Sequence, residues 1–230
     1  PAKGPNATWY PYNMYREGTE QFAYHVETYG HPSEFGYKDF IPQFTAERFD
    51  PDEWAALFKR SGARFAGPVA EHHDGFCMWD TQYSDWKATN MGPKRDVVGE
   101  LEAAIRAQGM RFMVALHHAA NWWFFPHWRD EFDTSDPAYQ GLYGELHNQA
   151  WAEGMPDFES REDEWRHQDK PSDAFLTRWL GKTQEVMDNY RPDLVWFDFG
   201  LGSIQEHYKR EMLAHYYNRA LEWGKDVLVT

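Results

Sequence analysis

Four times along this chain a helix-type segment with defined ends is followed by a short, nearly unbroken apolar run. Asp50-Pro51-Asp52-Glu53, followed by Trp54, Leu57 and Phe58, supplies an N-cap, a proline at the first helical position and an acid three residues after the cap. Gly62 is the expected left-handed stop. A strand is predicted over 63–71, with Gly67-Pro68 marking a bulge or irregularity inside it. Residues 96–108 carry apolar side chains at Val97, Val98, Leu101, Ala104 and Ile105, stop at Gly109, and lead into a strand over 111–116. A helix over 173–190 precedes a strand over 194–197, and a helix over about 204–223 precedes one over 227–230. Alternation of this kind, with strands that are apolar throughout, specifies a parallel sheet covered by helices.

Four such units do not close a barrel of eight strands. No glycine-rich phosphate turn follows any strand, which argues against a nucleotide-binding doubly wound sheet. Polar and aromatic residues follow several strands instead, and these favour a barrel. The expected fold class is therefore α/β: a partial (β/α)8 TIM-like barrel, truncated at both ends, with residues 1–230 as one incomplete domain. Residues 1–5 lack the apolar core of a secretory signal, and 226–230 stop inside what reads as a buried strand. The stretch through Phe49 reads as an irregular loop after a strand upstream of Pro1. Between the strand over 111–116 and the helix over 173–190 lies an insert over 121–172, containing Trp122, Trp123, Trp128, Trp151 and Trp165. Its length and tryptophans predict an ordered βα loop over the pocket, with a short helix near 139–151.

The formal net charge of −14 opposes binding to nucleic acid or to anionic lipid, both of which call for basic surface. No run approaches the roughly 18 apolar residues of a membrane helix. Cys77 is the single cysteine, which excludes an internal disulfide and a thiolate metal cluster. Aromatic residues make up 18% of the chain, and many stand beside polar ones, a mixture suited to sugar rings that stack on one side and hydrogen-bond on the other.

Asp198 closes the segment Asp193-Leu194-Val195-Trp196-Phe197-Asp198 and is the candidate nucleophile, because strand carboxyl ends converge on the active-site face of a barrel. The competing reading of that acid is a helix cap or an arginine partner. His72-His73-Asp74-Gly75-Phe76 ends the strand over 63–71, and His117-His118 ends the next. Imidazoles there suit vicinal hydroxyls, since each ring both donates and accepts. Adjacent strand residues are expected to point apart, so metal binding by both His72 and His73 is disfavoured. Histidines at two successive strand ends still keep a zinc or iron hydrolase open as a second class. Gly92-Pro93-Lys94-Arg95-Asp96 reads mainly as a turn, a cap and surface ion pairs, although two basic residues at a helix start also suit an anion.

Taken together, the segments Trp9 to Tyr15, Tyr37 to Phe40, Phe49 to Gly62, Glu71 to Phe76, Gly92 to Asp96 and Leu194 to Asp198 resemble the catalytic domain of the α-L-fucosidases, glycoside hydrolase family 29. The resemblance implies a barrel that hydrolyses α-L-fucosides with retention through a covalent fucosyl-enzyme, without metal or cofactor. It implies Asp198 as nucleophile, His72 and His73 as ligands of fucose hydroxyls, Trp9 and Trp196 as pocket aromatics, and His117 as a further contact. It also implies a fucosylated glycan as partner, an acid/base residue beyond Thr230, and a secreted, periplasmic or lysosomal location. Residues 1–230 alone are then expected to be inactive. Thr8 stands where the family commonly has Glu, which keeps a catalytically silent fucose-binding homologue as the alternative.

Overall fold

The computed structural model describes residues 9–147, 170–198 and 200–230. Thr8, Trp151, Trp165 and the end of the helix expected near 139–151 lie outside these residues. Three helices precede the first strand: α1 (Tyr10–Asn13), α2 (Glu20–Tyr29) and α3 (Pro51–Arg60). There follow β1 (Phe65–Ala66), β2 (Val69–Glu71), α4 (Val97–Ala107), β3 (Arg111–Leu116), α5 (Asn121–Phe124) and α6 (Gln140–Tyr143). The chain continues with α7 (Asp173–Tyr190), β4 (Leu194–Trp196), α8 (Glu206–Trp223) and β5 (Leu228–Val229).

All strand pairs are parallel, in the order β1-β3-β4-β5, with β2 also paired to β3. The expected irregularity at Gly67-Pro68 splits one predicted strand into β1 and β2. A Cβ at Gly67 would sit 1.6 Å from the Met113 carbonyl oxygen, so only glycine lets the two backbones approach. The predicted caps form: Asp50 accepts from the Glu53 amide, Asp96 from Gly99 and Ser172 from Phe175. Helix α7 buries Phe175, Leu176, Trp179, Leu180, Val186 and Met187 against the sheet. Each such side chain contributes about 1.5–3 kcal/mol.

Along β4 and the two residues after it, Val195 and Phe197 are buried, with Phe197 6.0 Å from the Trp179 ring. Leu194 and Trp196 alternate to the other face. That face leaves Val69, Trp196 and Leu228 exposed by 40%, 46% and 58%.

The stretch before α3 departs from the irregular loop expected. Besides α1 and α2 it holds a 3-10 helix over Tyr37–Gln43. A buried carboxylate knits it to the long insert: Asp133 accepts from Tyr15 and Tyr143 hydroxyls at 2.8 and 2.6 Å and pairs with Lys38 at 3.2 Å. The Tyr15 and Tyr143 oxygens in turn accept from the Tyr37 and Lys38 amides.

His127, fully buried in the same insert, donates from Nε2 to the Tyr143 carbonyl at 2.7 Å. Burial, reinforced by His147, pushes its pKa down to about 3. The unfolded chain therefore binds a proton that the native state refuses, and stability falls as pH drops from about 6.5 towards 3. By pH 4.5 this one group is expected to cost roughly 3 kcal/mol. Urea denaturation of His127→Gln, which keeps a donor for Tyr143, should show a shallower acid loss than the parent protein; parallel curves would remove His127 as a cause.

Candidate active site

The carboxyl ends of β2, β3 and β4 converge. After Glu71 the chain leaves the strand and turns, so the pleat no longer separates successive side chains. His72 and His73 lie with ring centroids 4.1 Å apart, which corrects the expectation that they point apart. The His117 ring lies 5.2 Å from His72 and 5.4 Å from His73. His73 Nδ1 is 2.8 Å from the His117 carbonyl oxygen. Because a carbonyl only accepts, that nitrogen carries the proton and Nε2 holds the lone pair.

The turn is locked from behind. Asn121 donates to the His73 and Leu142 carbonyls at 2.9 and 3.1 Å. Gly75 has φ +80°, and a Cβ there would meet the Leu142 oxygen at 2.0 Å. Asp74 accepts from the Phe76 amide at 3.0 Å, and burial raises its carboxyl to a pKa of about 6. Together with His72, Asp74 and Tyr37 line a cavity of about 280 Å³ whose other walls include Phe40, Phe44 and Phe76.

Aromatic rings enclose the histidines. Trp9 stands edge-on to His73 at 5.4 Å and to Phe124 at 5.6 Å. Phe124 and Trp123 lie 5.4 and 6.3 Å from His73. Sequence reasoning placed Trp123 in the loop over the pocket but did not single out Phe124. The run of four aromatics over 122–125 signalled something, but not that α5 would turn two of them towards His73.

Trp196 and Asp198, at and after the end of β4, are both exposed. Asp198 has no ion pair among the described residues. Its negative charge nonetheless reaches the cluster. Burial lowers the pKa of His72, and Asp198 opposes that shift. His117 is likewise lowered by burial and by His72, with Asp198 acting against both.

Other polar groups are structural. His118 turns to the opposite side, stacks on Trp179 and bonds to its carbonyl at 3.2 Å. Arg95 pairs with Glu100 and covers Phe49, while Asp96 caps α4, so the turn over 92–96 follows the structural reading. Beneath the histidines, Lys182 of α7 meets Glu71 at 2.7 Å in a buried ion pair.

Residues 1–230 match the family described as Alpha-L-fucosidase. The tissue alpha-L-fucosidase of Rattus norvegicus is 30% identical over 226 residues, covering 92% of this chain and 41% of that protein. The plasma alpha-L-fucosidase of Homo sapiens is 30% identical over 193 residues, covering 83% of this chain and 34% of that protein. Thermotoga maritima alpha-fucosidase in complex with fucose is similar in fold, with a TM-score of 0.69 at 31% identity over 95% of this chain and 44% of that one. The chain thus spans about two fifths of the length of these relatives.

Proposed function

Because the chain belongs to the α-L-fucosidase family, we propose that the full-length protein is a retaining exo-α-L-fucosidase and that residues 1–230 are one incomplete catalytic barrel domain within it. The observation that carries this reading is the meeting of His72, His73 and His117 at two strand ends, with the charge of Asp198 reaching that cluster from a third. A retaining glycosidase works with two carboxyl groups about 5–5.5 Å apart. Ionised Asp198 attacks the anomeric carbon from the face opposite the aglycone. A protonated carboxyl from outside residues 1–230 delivers its proton to the leaving oxygen. It then takes a proton from the water that releases fucose, so two inversions restore the α configuration.

The remaining residues serve binding. Neutral at pH 7, the half-buried imidazole of His72 and the buried one of His117 present lone pairs and N–H groups to sugar hydroxyls, and the proton on His73 Nδ1 leaves Nε2 as an acceptor. Trp9 and the exposed Trp196 offer apolar faces for C–H groups and for the methyl of a 6-deoxy sugar. The substrate is a terminal α-L-fucosyl residue of a glycan, and the likeness to the tissue and plasma alpha-L-fucosidases supports a secreted, periplasmic or lysosomal location. Among the described residues no helix is long and apolar enough to cross a membrane.

Proton NMR of the full-length protein turning over an aryl α-L-fucoside tests the reading. The first product should be α-L-fucose, with the β anomer appearing only through mutarotation. Initial release of β-L-fucose would replace the double displacement with a single one. Fucose binding without hydrolysis would establish the silent homologue instead.

A further inference from the structure

We propose that His72, His73 and His117 also form a binding site for a divalent transition-metal ion of borderline softness, zinc foremost. The candidate ligand nitrogens of the three side chains all lie within 4.8 Å of one another. Zinc holds imidazole nitrogens at about 2.0–2.1 Å, which places tetrahedral ligands roughly 3.3 Å apart. Rotation of the rings, with the half-buried His72 as the most mobile, closes that difference.

Two features separate this cluster from three histidines that happen to be close. The first is the tautomer of His73. Its Nδ1–H is committed to the His117 carbonyl, so the Nε2 lone pair is fixed in direction. Metal-bound histidines usually show the same arrangement, in which an acceptor for the other ring nitrogen's proton sets ring orientation and raises ligand basicity. The second is His117 Nδ1, which is buried without a hydrogen-bond partner. A buried polar atom of that kind calls for a ligand.

The donor set selects the ion. Imidazoles suit zinc, copper and nickel, whereas calcium and magnesium prefer oxygen ligands. Cys77, the single thiol, is buried and bonds weakly to the Gly75 carbonyl at 3.9 Å. Three protein ligands leave a fourth position open. An ion held here occupies the volume proposed for the sugar hydroxyls, so zinc and fucose exclude each other. The site shares the pocket of the fucosidase reading and does not depend on its chemistry.

The test is calorimetric titration of zinc chloride into the chelator-treated, full-length protein, with nitrogen NMR of the histidine side chains. One ion per chain should bind, and of the 11 histidines in the sequence the rings of His72, His73 and His117 should shift. His73→Leu and His117→Leu should each weaken binding at least about tenfold. His207→Gln, on the exposed side of α8, should leave it unchanged. Absence of saturable binding to the folded parent protein overturns the proposal, as does binding that shifts other rings. The parent NMR readout holds even where a variant fails to fold. Binding at the three histidines that is indifferent to L-fucose supports the metal site and counts against the sugar reading alone.

Discussion

Replacing Asp198 with glycine in the full-length protein is expected to lower turnover of an aryl α-L-fucoside by roughly a thousandfold or more, with much less effect on substrate affinity. The reason is chemical: glycine removes the only group proposed to bond to the anomeric carbon and leaves the three histidines in place. Acids at the two ends of β4 have different fates. Asp193, before the strand, accepts from the Phe112 amide at 2.9 Å and pairs with Arg106 and Lys225, both at 3.0 Å. Asp198, after it, is exposed and has no ion pair among the described residues. The first carboxylate is used up by the fold, while the second remains available to attack.

Azide sharpens the expectation. A small anion fits where the carboxylate stood and approaches the same face of the sugar, so one displacement yields β-fucosyl azide. Partial recovery of aglycone release with added azide, and that product by NMR, would assign the attacking group. Near-parental activity in Asp198→Gly would remove the residue from the mechanism, and an α-configured azide would mean attack from the wrong face.

The parts of the fold legible in the sequence are those governed by local chemistry. Helices α3, α4 and α7 announce themselves because Asp50, Asp96 and Ser172 cap them and their apolar residues recur at helical spacing. Helix α2 has a cap, Thr19, which accepts from the Phe22 amide, but lacks the apolar stripe. Its buried residues are Gln21 and His25, and it is held by long-range contacts such as Tyr10 to His25 at 2.9 Å. The relation of His72 to His73 was misjudged for a related reason. Pleating separates neighbours only while the strand lasts, and here it ends at Glu71. Strand ends marked where the site would lie, whereas the rings of Trp123 and Phe124 reach it through packing that no spacing encodes.

The Glu71–Lys182 pair, 111 residues apart in sequence, was beyond any local reading, yet its loss should produce the largest stability change in the molecule. Both side chains are buried, and the pair adjoins the thiol of Cys77, itself pushed by burial well above its usual pKa and so uncharged. Lys182→Met strands a carboxylate out of water, which typically costs about 3–5 kcal/mol. The melting temperature of the full-length protein should fall accordingly. The Glu71 carbonyl also accepts from the His117 amide at 2.9 Å, and His72 follows directly, so the loss should reach the pocket as weaker sugar binding. Adding Glu71→Gln to Lys182→Met removes the stranded charge and should restore more than half of the lost stability, because most of the penalty is desolvation of an unpaired ion rather than absence of a bond. Calorimetry on the full-length protein and the three variants gives the coupling directly. If the two single losses simply add in the double variant, the pair is not coupled, and Lys182 stabilises α7 through its aliphatic stem alone.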